Sequence, residues 1–432
     1  MKHIFFSLSL FLLLISCSEK DNEIIVINPK KSAQGTLKLD KVLNDSTIQL
    51  SWSKYTGKDF KSYTVYRNCE VLRDGNFVFS SDEVKVFNNP DSLTFTERSM
   101  PFAANVSYMV RTSTDSTAKF SNQVTYNRPG TYQIFSFKEA LVNTDKNLAY
   151  LYDFNSGAIS LFNYDTGAEL VKTSLNTNIG YCTLGNFDNG IKNELYVPTG
   201  DGWVYILDAE SLVTKDKLYI GGEAVTSVLS LGEKLFVSSS DRSYGSFYDN
   251  SLKVYNRRTK KVISRTGDNN NTRLVYLEGS DIELLDITTN LLPTDLNYYK
   301  FNSDGTFHSW KEDTYHGDYP LDPALVKCFP DGSRIITGSS GTIYSKSMVF
   351  ERRLSSGSSY TDFEFNQQGT IIYSASRVQK KVDAINYPSL TVTKSYTTIF
   401  NPFRIFRDGN QLICLTLSPS FRNYFMFEKI NL

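Results

Sequence analysis

The sequence predicts an all-β protein, and three observations lead to that prediction. Tyrosine and phenylalanine are abundant, with 27 and 29 residues, and β-branched residues are frequent. Long alanine-, leucine- and glutamate-rich runs with helical periodicity are absent from the sequence. A phrase made of a polar or glycine turn and a short apolar strand recurs, as in FPDGSRIITGSS (329–340) and FRDGNQLICLTL (406–417).

Length and charge narrow the classes of function. A chain of 432 residues is long enough for two or three domains with sizeable cores. Lysine plus arginine equals aspartate plus glutamate at 46 each, so no overall electrostatic field favours nucleic acid, and we predict no nucleic-acid partner.

The N-terminus has the pattern of an export signal. A short basic start is followed by an apolar run, Ile4 to Ile15, that is too short to span a bilayer and ends before polar SEKDNE. Leu14-Ile15-Ser16-Cys17 resembles the lipobox of bacterial lipoproteins, which implies cleavage before Cys17 and lipidation of that cysteine. The alternative is an ordinary signal peptide (1–17) with an incidental cysteine.

The next segment, 18–35, is polar and aperiodic, and is predicted to be a flexible tether. Its acidic residues Glu19, Asp21 and Glu23 resemble the surface-export signal of Bacteroidetes lipoproteins. These resemblances imply a lipid-anchored protein of the outer membrane, on the cell surface or the periplasmic side. The membrane contact would then be through the N-terminal lipid only.

Short alternating strands follow over about 90 residues, as in STIQLSW and FKSYTVYRN. Trp52, Tyr63-x-Val65, Tyr108-x-Val110-Arg111 and Ser121-Asn122-x-Val124 resemble, in order, the elements of a fibronectin type III domain. The resemblance covers 36–128 and implies a β-sandwich used as a spacer or binding module. Asn127-Arg128-Pro129-Gly130 breaks the pattern and marks a domain boundary.

The recurring phrase occurs seven times in 131–432. Its strands begin with the apolar residues Leu148, Leu195, Leu235, Ile282, Ile335, Ile371 and Leu412. The 264 residues from the first to the last of these, divided over six gaps, give a mean spacing of 44. A strand-only period of about 40–45 residues is typical of β-propeller blades, so we predict a seven-bladed β-propeller. Uneven gaps leave six or eight blades as alternatives.

A second phrase, an alternating strand ending in Asn or Asp and a turn, follows in most units, as in ISLFNYDTG and VYILDAES. We expect it between the third and fourth strands of a blade. VYILDAESLVTKDKL resembles the repeat of YVTN-type, quinoprotein-like seven-bladed propellers. The last unit lacks a fourth strand, and TYQIFSF (131–137) is predicted to complete it beside NYFMFEKINL and so close the propeller.

The sequence offers little catalytic chemistry. His308 and His316, with Glu312 and Asp313 between them, lack HExxH spacing, so metal ligation there is an alternative to an ordinary polar strand and loop. GxSxG, Walker and dinucleotide motifs are absent, and no cofactor is predicted. Cys69, Cys182, Cys328 and Cys414 are widely spaced, which favours buried thiols over disulfides.

Aromatic and basic residues are frequent where a propeller would have the loops of one face. Such side chains combine flat apolar area with directional hydrogen bonds, which suits sugar rings or a protein partner. The predicted ligand-binding residues are Trp203, Arg242, Tyr244, Phe247, Tyr248, His316, Tyr319, Arg377, Phe421, Arg422 and Tyr424. The alternative is that these aromatic side chains pack on their own blades.

The sequence therefore favours a non-catalytic binding or scaffold protein whose propeller face takes a glycan or an envelope protein. The alternative is a polysaccharide lyase or glycosidase with its active site at the propeller axis, because carboxylate pairs from different blades are not visible in a sequence. The scarcity of histidine and the lack of a nucleophile motif favour binding.

Overall fold

The structure is a computed structural model, and it describes residues 35–44, 46–73, 76–101, 103–128, 131–133, 137–185, 187, 192–221, 224–240, 250–279, 281–315, 317–354, 359–418 and 424–432. These residues form β-strands joined by turns, with one 3₁₀ turn at Thr144–Lys146 and no α-helix in the ranges given. The all-β prediction is confirmed. Within the same ranges, no helix meets the length and hydropathy needed to cross a membrane.

The described chain divides into two compact units. One takes in the described residues up to Arg67, together with Ser81–Met100 and Ser107–Thr125. The other takes in Asn68–Ser80, Pro101–Val106 and Tyr126–Leu432.

Two antiparallel sheets are formed by the first eight strands. The strands are β1 (Leu37–Asn44), β2 (Thr47–Trp52), β3 (Phe60–Arg73), β4 (Asn76–Phe87), β5 (Thr94–Glu97), β6 (Asn105–Thr114), β7 (Ala118–Phe120) and β8 (Val124–Asn127). The order is β1-β2-β5 in one sheet and β4-β3-β6-β7 in the other, where β8 also pairs with β6.

The core of the first unit contains the residues whose alternation predicted buried strand faces. Ile48, Leu50 and Trp52 of β2 are buried, as are Tyr63 and Val65 of β3. The Trp52 and Tyr63 rings meet edge to face, with centroids 5.8 Å apart. Alternate residues point to the same side of a strand, so this burial follows directly from the period-two pattern.

The rest of the described chain forms seven four-stranded antiparallel sheets, which we number 1 to 7. Sheet 1 contains β10 (Glu139–Asn143), β11 (Leu148–Tyr152), β12 (Ala158–Asn163) and β13 (Glu169–Ser174). Sheet 2 contains β14 (Thr183–Gly185), β15 (Glu194–Pro198), β16 (Trp203–Asp208) and β17 (Thr214–Tyr219). Sheet 3 contains β18 (Ala224–Leu231), β19 (Lys234–Ser240), β20 (Leu252–Asn256) and β21 (Val262–Thr266).

The remaining sheets follow the same plan. Sheet 4 contains β22 (Thr272–Leu277), β23 (Ile282–Thr288), β24 (Leu296–Phe301) and β25 (Phe307–Glu312). Sheet 5 contains β26 (Val326–Cys328), β27 (Arg334–Thr337), β28 (Thr342–Ser345) and β29 (Phe350–Arg353). Sheet 6 contains β30 (Tyr360–Phe365), β31 (Ile371–Ser376), β32 (Lys381–Asn386) and β33 (Thr391–Thr397). Sheet 7 contains β34 (Asn401–Asp408), β35 (Gln411–Leu417), β36 (Tyr424–Asn431) and β9 (Thr131–Gln133).

The recurring phrase is the turn between the first and second strands of each sheet, together with the second strand. Glycine in this turn has positive φ, +66° at Gly332 and +56° at Gly409, a conformation that side chains disfavour. A Cβ added to Gly332 would also lie 1.7 Å from the Glu278 carbonyl oxygen. The turn between the third and fourth strands is equally local. There the Asn163 side-chain oxygen accepts hydrogen bonds from the N–H groups of Asp165 and Thr166.

Sheet 7 is completed by a strand from far upstream. Thr131, Tyr132 and Gln133 of β9 pair with Met426, Phe425 and Tyr424 of β36. The predicted pairing of this segment with the terminal strand is confirmed over these three residues.

Hydrophobic clusters join each sheet to the next in cyclic order. Sheets 1 and 2 share a cluster that includes Tyr150 and Val197, and equivalent clusters join every later pair up to sheets 6 and 7. A further cluster joins sheet 7 to sheet 1 through Phe425 and Phe162, whose rings meet edge to face at 5.3 Å. Both faces of each of these seven sheets therefore pack against a neighbouring sheet.

The preference for buried cysteine thiols over disulfides is also confirmed for the four described cysteines. Cys69, Cys182, Cys328 and Cys414 are thiols, and all except the partly buried Cys328 are buried.

Candidate functional site

A cluster of charged and aromatic side chains joins the first strands of several of the seven sheets. We call it the central charged cluster and define it as Glu139, Tyr181, Arg273, Asp362 and Arg404. These residues lie on, or just before, the first strands of sheets 1, 2, 4, 6 and 7.

Hydrogen bonds to main-chain carbonyl groups bring in the two other sheets. The Tyr181 N–H donates to the Thr226 carbonyl of sheet 3, and Arg404 Nη2 donates to the carbonyl of Ala324, two residues before sheet 5 begins. All seven sheets therefore contribute to one small region of the second unit.

Glu139 and Arg404 form the fully buried core of this cluster. Arg404 Nε donates to Glu139 Oε1 at 2.6 Å, and Nη2 donates to Oε2 at 3.0 Å. The paired fork geometry makes this a strong, charge-assisted contact. Burial alone would raise the pKa of Glu139, but the charges and hydrogen bonds of Arg404, then the charge of Arg273, hold that pKa below its usual value.

Asp362 is a second carboxyl group close enough to Arg404 to interact with its charge. Its Oδ2 accepts a hydrogen bond from the Ile405 N–H at 2.9 Å. Burial raises the pKa of Asp362, and the nearby charges of Lys327 and Arg404 only partly offset the effect. Lys327 itself pairs with Glu364 at 3.4 Å, which extends the charged region along the first strands of sheets 5 and 6.

Arg273 and Tyr181 form the less buried edge of the cluster. The Arg273 guanidinium carbon lies 4.4 Å from the centre of the Tyr181 ring, a cation–π contact. The other neighbour of that ring is Phe154, edge to face at 5.0 Å. Burial raises the pKa of Tyr181, and the charge of Arg273 only partly offsets it.

This arrangement limits the acid–base chemistry of the cluster. A catalytic acid needs a proton to give near neutral pH, and Glu139 is instead held ionised by two arginines. A tyrosine base would need a lowered pKa, and that of Tyr181 is raised. The cluster is suited to holding strands together and to presenting Arg273, but not to proton transfer from these two groups.

Among the predicted ligand-binding residues, Trp203 lies in a surface aromatic patch. The patch consists of Trp203, Tyr205, Lys217 and Tyr219, on the third and fourth strands of sheet 2. The Trp203 and Tyr219 rings have centroids 4.8 Å apart, and Lys217 Nζ lies 4.6 Å from the centre of the Trp203 ring. About half of Tyr219 is exposed, so the patch is accessible to a ligand.

Three other predicted residues are described. Tyr319 stacks on Phe350 with ring centres 4.0 Å apart and planes inclined by 3°, so it packs on the core between sheets 4 and 5. Tyr424 is buried in β36 and packs with Phe400 and Met426. Arg377 is exposed in the turn after β31. Packing therefore accounts for the two tyrosine rings.

The remaining predicted site residues lie outside the described residues. They are Cys17, Arg242, Tyr244, Phe247, Tyr248, His316, Phe421 and Arg422.

The alternative metal site has no counterpart in the ranges given above. There, no three histidine, cysteine, aspartate or glutamate side chains are placed to hold a metal ion. His308, the one described histidine of the suggested pair, is exposed and contacts the Ser309 hydroxyl at 3.0 Å.

The central charged cluster was missed by reasoning from the sequence, although a signal was present. A lone charged residue interrupts an apolar or alternating first strand in TRLVYL (Arg273) and NPFRIF (Arg404). Charged residues inside strands are seldom buried without a partner, so such interruptions in the first strands of two repeats point to a common ionic cluster.

Comparisons with known proteins do not place this chain in a family. No protein-family model matches it, and no curated protein matches it.

Proposed function

We propose that this chain is a lipid-anchored cell-envelope protein that binds a glycan or a partner protein without catalysing a reaction. Cys17 carries the lipid, 18–35 form the tether, 36–128 form a fibronectin type III-like domain, and 131–432 form a seven-bladed β-propeller. The protein is anchored at the outer membrane, on the cell-surface or periplasmic side.

The cyclic packing of seven four-stranded sheets supports the propeller assignment. Each sheet would be one blade, the first strands would line the axis, and the central charged cluster would lie on that axis. Pairing of β9 with β36 would close the propeller by joining the two ends of the chain in one blade.

One observation carries the choice of binding over catalysis. The carboxylate at the centre of the cluster, Glu139, is held in its ionised form by two hydrogen bonds from Arg404 and by the charge of Arg273. A lyase or glycosidase at this axis would need a carboxyl group or tyrosine that can exchange a proton with a bound substrate. Burial raises the pKa of Asp362, but its side chain is buried and accepts a hydrogen bond from the Ile405 N–H, so a substrate does not reach it. The ligand would then bind at one of two surfaces, the loops around the axis or the surface aromatic patch on the third and fourth strands of sheet 2.

A glycan array and an envelope-protein pull-down with the purified protein test this proposal. We expect a ligand in at least one of the two assays, and we expect Trp203→Ala to weaken its binding about tenfold, since aromatic contacts dominate such surfaces. Trp310→Ala is the matched control, because it removes an exposed tryptophan from the fourth strand of sheet 4.

Two results would contradict the proposal. One is the release of sugar products or of unsaturated, ultraviolet-absorbing ends from a bound polysaccharide, which would make the protein an enzyme. The other is the absence of any retained glycan or envelope protein in both assays. Thermal unfolding of both tryptophan variants separates lost binding from lost folding.

A further inference from the structure

The two arginines of the central charged cluster differ in how they use their hydrogen-bond donors. All three side-chain nitrogen atoms of Arg404 donate hydrogen bonds. Besides Glu139, it donates from Nη1 to the carbonyls of Thr361 (2.9 Å) and Phe403 (3.1 Å), and from Nη2 to that of Ala324 (3.3 Å). Because its donors are used within the protein, Arg404 stabilises the cluster and does not offer a hydrogen bond to a ligand.

Only one side-chain nitrogen atom of Arg273 donates a hydrogen bond within the described residues. Its one hydrogen bond runs from Nη1 to the Pro323 carbonyl at 2.6 Å, and the distance to Glu139 Oε2 is 4.0 Å, too long for a hydrogen bond. Within the part of the chain that the structure describes, the Nε and Nη2 atoms of Arg273 have no hydrogen-bond acceptor, and they are not completely buried. The Arg273 side chain is 21% exposed, against 10% for Arg404, so solvent reaches part of it.

Two aromatic rings lie beside these open donors. Tyr181 contacts the guanidinium plane of Arg273, and Phe154 contacts Tyr181, and both rings are partly exposed. The carboxylate that faces Arg273, Glu139, accepts its hydrogen bonds from Arg404. An incoming anion would therefore be the acceptor that the open edge of Arg273 lacks.

We propose that Arg273 recognises an anionic group, a carboxylate or a sulfate, on a glycan ligand, with Tyr181 and Phe154 contacting the sugar ring. This inference rests on the binding function proposed above and specifies the ligand class. A guanidinium presents parallel donors that match two oxygens of such a group, which a lysine does not. The adjacent aromatic pair favours an acidic sugar over an acidic peptide, because flat rings pack against the apolar faces of sugars.

Isothermal titration calorimetry with four probes tests this assignment. The probes are hexagalacturonate (carboxylates), a κ-carrageenan hexasaccharide (sulfates only), cellohexaose (neutral) and hexaglutamate (an acidic peptide). We expect one of the two acidic saccharides to bind at least about tenfold more tightly than cellohexaose and hexaglutamate, and the better of the two identifies the group. Arg273→Gln should weaken that binding roughly tenfold or more, the loss typical of a charge-assisted contact.

Matched variants isolate the role of Arg273. Arg273→Lys keeps the charge but not the parallel donors, so it should recover only part of the affinity. Arg265→Gln removes an exposed arginine from the outer strand β21 and should leave binding within about twofold of wild type. Thermal unfolding and near-ultraviolet circular dichroism check that each variant is folded. If the glutamine variant does not fold, the lysine variant decides.

Several outcomes would overturn the inference. They are equal binding of acidic and neutral saccharides, binding of hexaglutamate alone, and unchanged affinity for the acidic saccharide in both Arg273 variants. A neutral glycan or a protein ligand that is insensitive to Arg273 would overturn the anionic assignment and leave the proposed binding function standing. Failure of the array and the pull-down together would instead remove the binding function itself.

Discussion

Two buried carboxyl groups of the second unit, Glu139 and Asp286, show how strongly the partners of a buried acid matter. Glu139 begins the first strand of sheet 1 and is held by Arg404 and Arg273. Asp286 lies in the second strand of sheet 4 and is 1% exposed. Within the described ranges neither of its oxygens has a hydrogen-bond partner of good geometry.

The pKa values of these two groups move in opposite directions. Burial raises the pKa of Asp286 well above its usual range, the charges of Asp268 and Asp295 add to the increase, and the Tyr299 hydroxyl and the Asn297 N–H only partly offset it. Glu139 is equally buried, but its arginines reverse the sign. A cation within contact distance therefore decides whether a buried acid in this fold is ionised.

The contrast also separates what the two regions do for the fold. Around Glu139, several strands are held by one ionic cluster whose members depend on one another. Around Asp286, the chain tolerates a polar group whose ionisation would work against folding. Replacing the carboxyl group by an amide should therefore destabilise the protein at Glu139 and stabilise it at Asp286.

The largest effect is expected for Glu139→Gln. The change removes the carboxylate that pairs with the buried Arg404, and breaking a buried pair in this way costs about 3–5 kcal/mol. Urea unfolding at pH 7 measures the loss. Because the folded pKa of Glu139 is lowered, its contribution is present above the unfolded pKa and is lost as the pH falls through the folded pKa. The difference in the free energy of unfolding between the variant and the wild type should therefore become smaller at acidic pH.

Glu210→Gln is the control for this prediction. Glu210 pairs with Lys146 at the surface, where an ion pair is worth about 0–1 kcal/mol. If Glu139→Gln lost no more stability than Glu210→Gln, the central charged cluster would have no special role in the fold.

A smaller effect is expected for Arg404→Lys. The charge opposite Glu139 stays, but the paired geometry and most of the bonds to three carbonyl groups are lost. We expect a loss of about 2 kcal/mol in the free energy of unfolding, again from urea titration.

Arg258→Lys serves as the surface comparison, since Arg258 pairs with Glu233 and both are more than half exposed. This variant should change the stability by no more than about 0.5 kcal/mol. A loss for Arg404→Lys within that range would mean that charge alone, without hydrogen-bond geometry, holds the cluster.

Much of the fold was predictable because its signals are local. Each predicted first apolar residue, from Leu148 to Leu412, lies in the second strand of a sheet. Turn glycines and period-two alternation act over a few residues, so a sequence displays them directly. The pairing of β9 with β36 was a longer-range inference, and it was possible because the last unit was one strand short.

The candidate site was much less predictable, for a physical reason. Glu139 and Arg404 are 265 residues apart in the chain, and only the closed packing order of the sheets brings them together. Exposure of an aromatic side chain is just as hard to foresee. Tyr319 and Trp203 looked alike as loop aromatics, but the first stacks on Phe350 while the second contacts the half-exposed Tyr219.

The only gain in stability is expected for Asp286→Asn. A raised folded pKa means that the folded state holds the proton more tightly than the unfolded state does. Wild-type stability from this group is therefore fully present below the unfolded aspartate pKa and falls as the pH rises towards the folded pKa, by up to about 1.4 kcal/mol per pH unit. Asparagine has a similar shape and no proton to lose. The variant should be more stable than wild type by roughly 1–3 kcal/mol at pH 8 and nearly equal to it at pH 4.

Urea unfolding of both proteins from pH 4 to pH 8 gives the difference as a function of pH. Asp304→Asn is the matched control, in the turn between the third and fourth strands of the same sheet. Hydrogen bonds from Thr306 lower the pKa of Asp304, so its contribution is lost only below the unfolded aspartate pKa, and the effect of this variant should not change between pH 4 and pH 8. A pH-independent difference for Asp286→Asn would mean that Asp286 is ionised in the folded protein. Since the central charged cluster already shows what a buried carboxylate needs, that result would require a cationic partner for Asp286 that balances its charge as Arg404 balances that of Glu139.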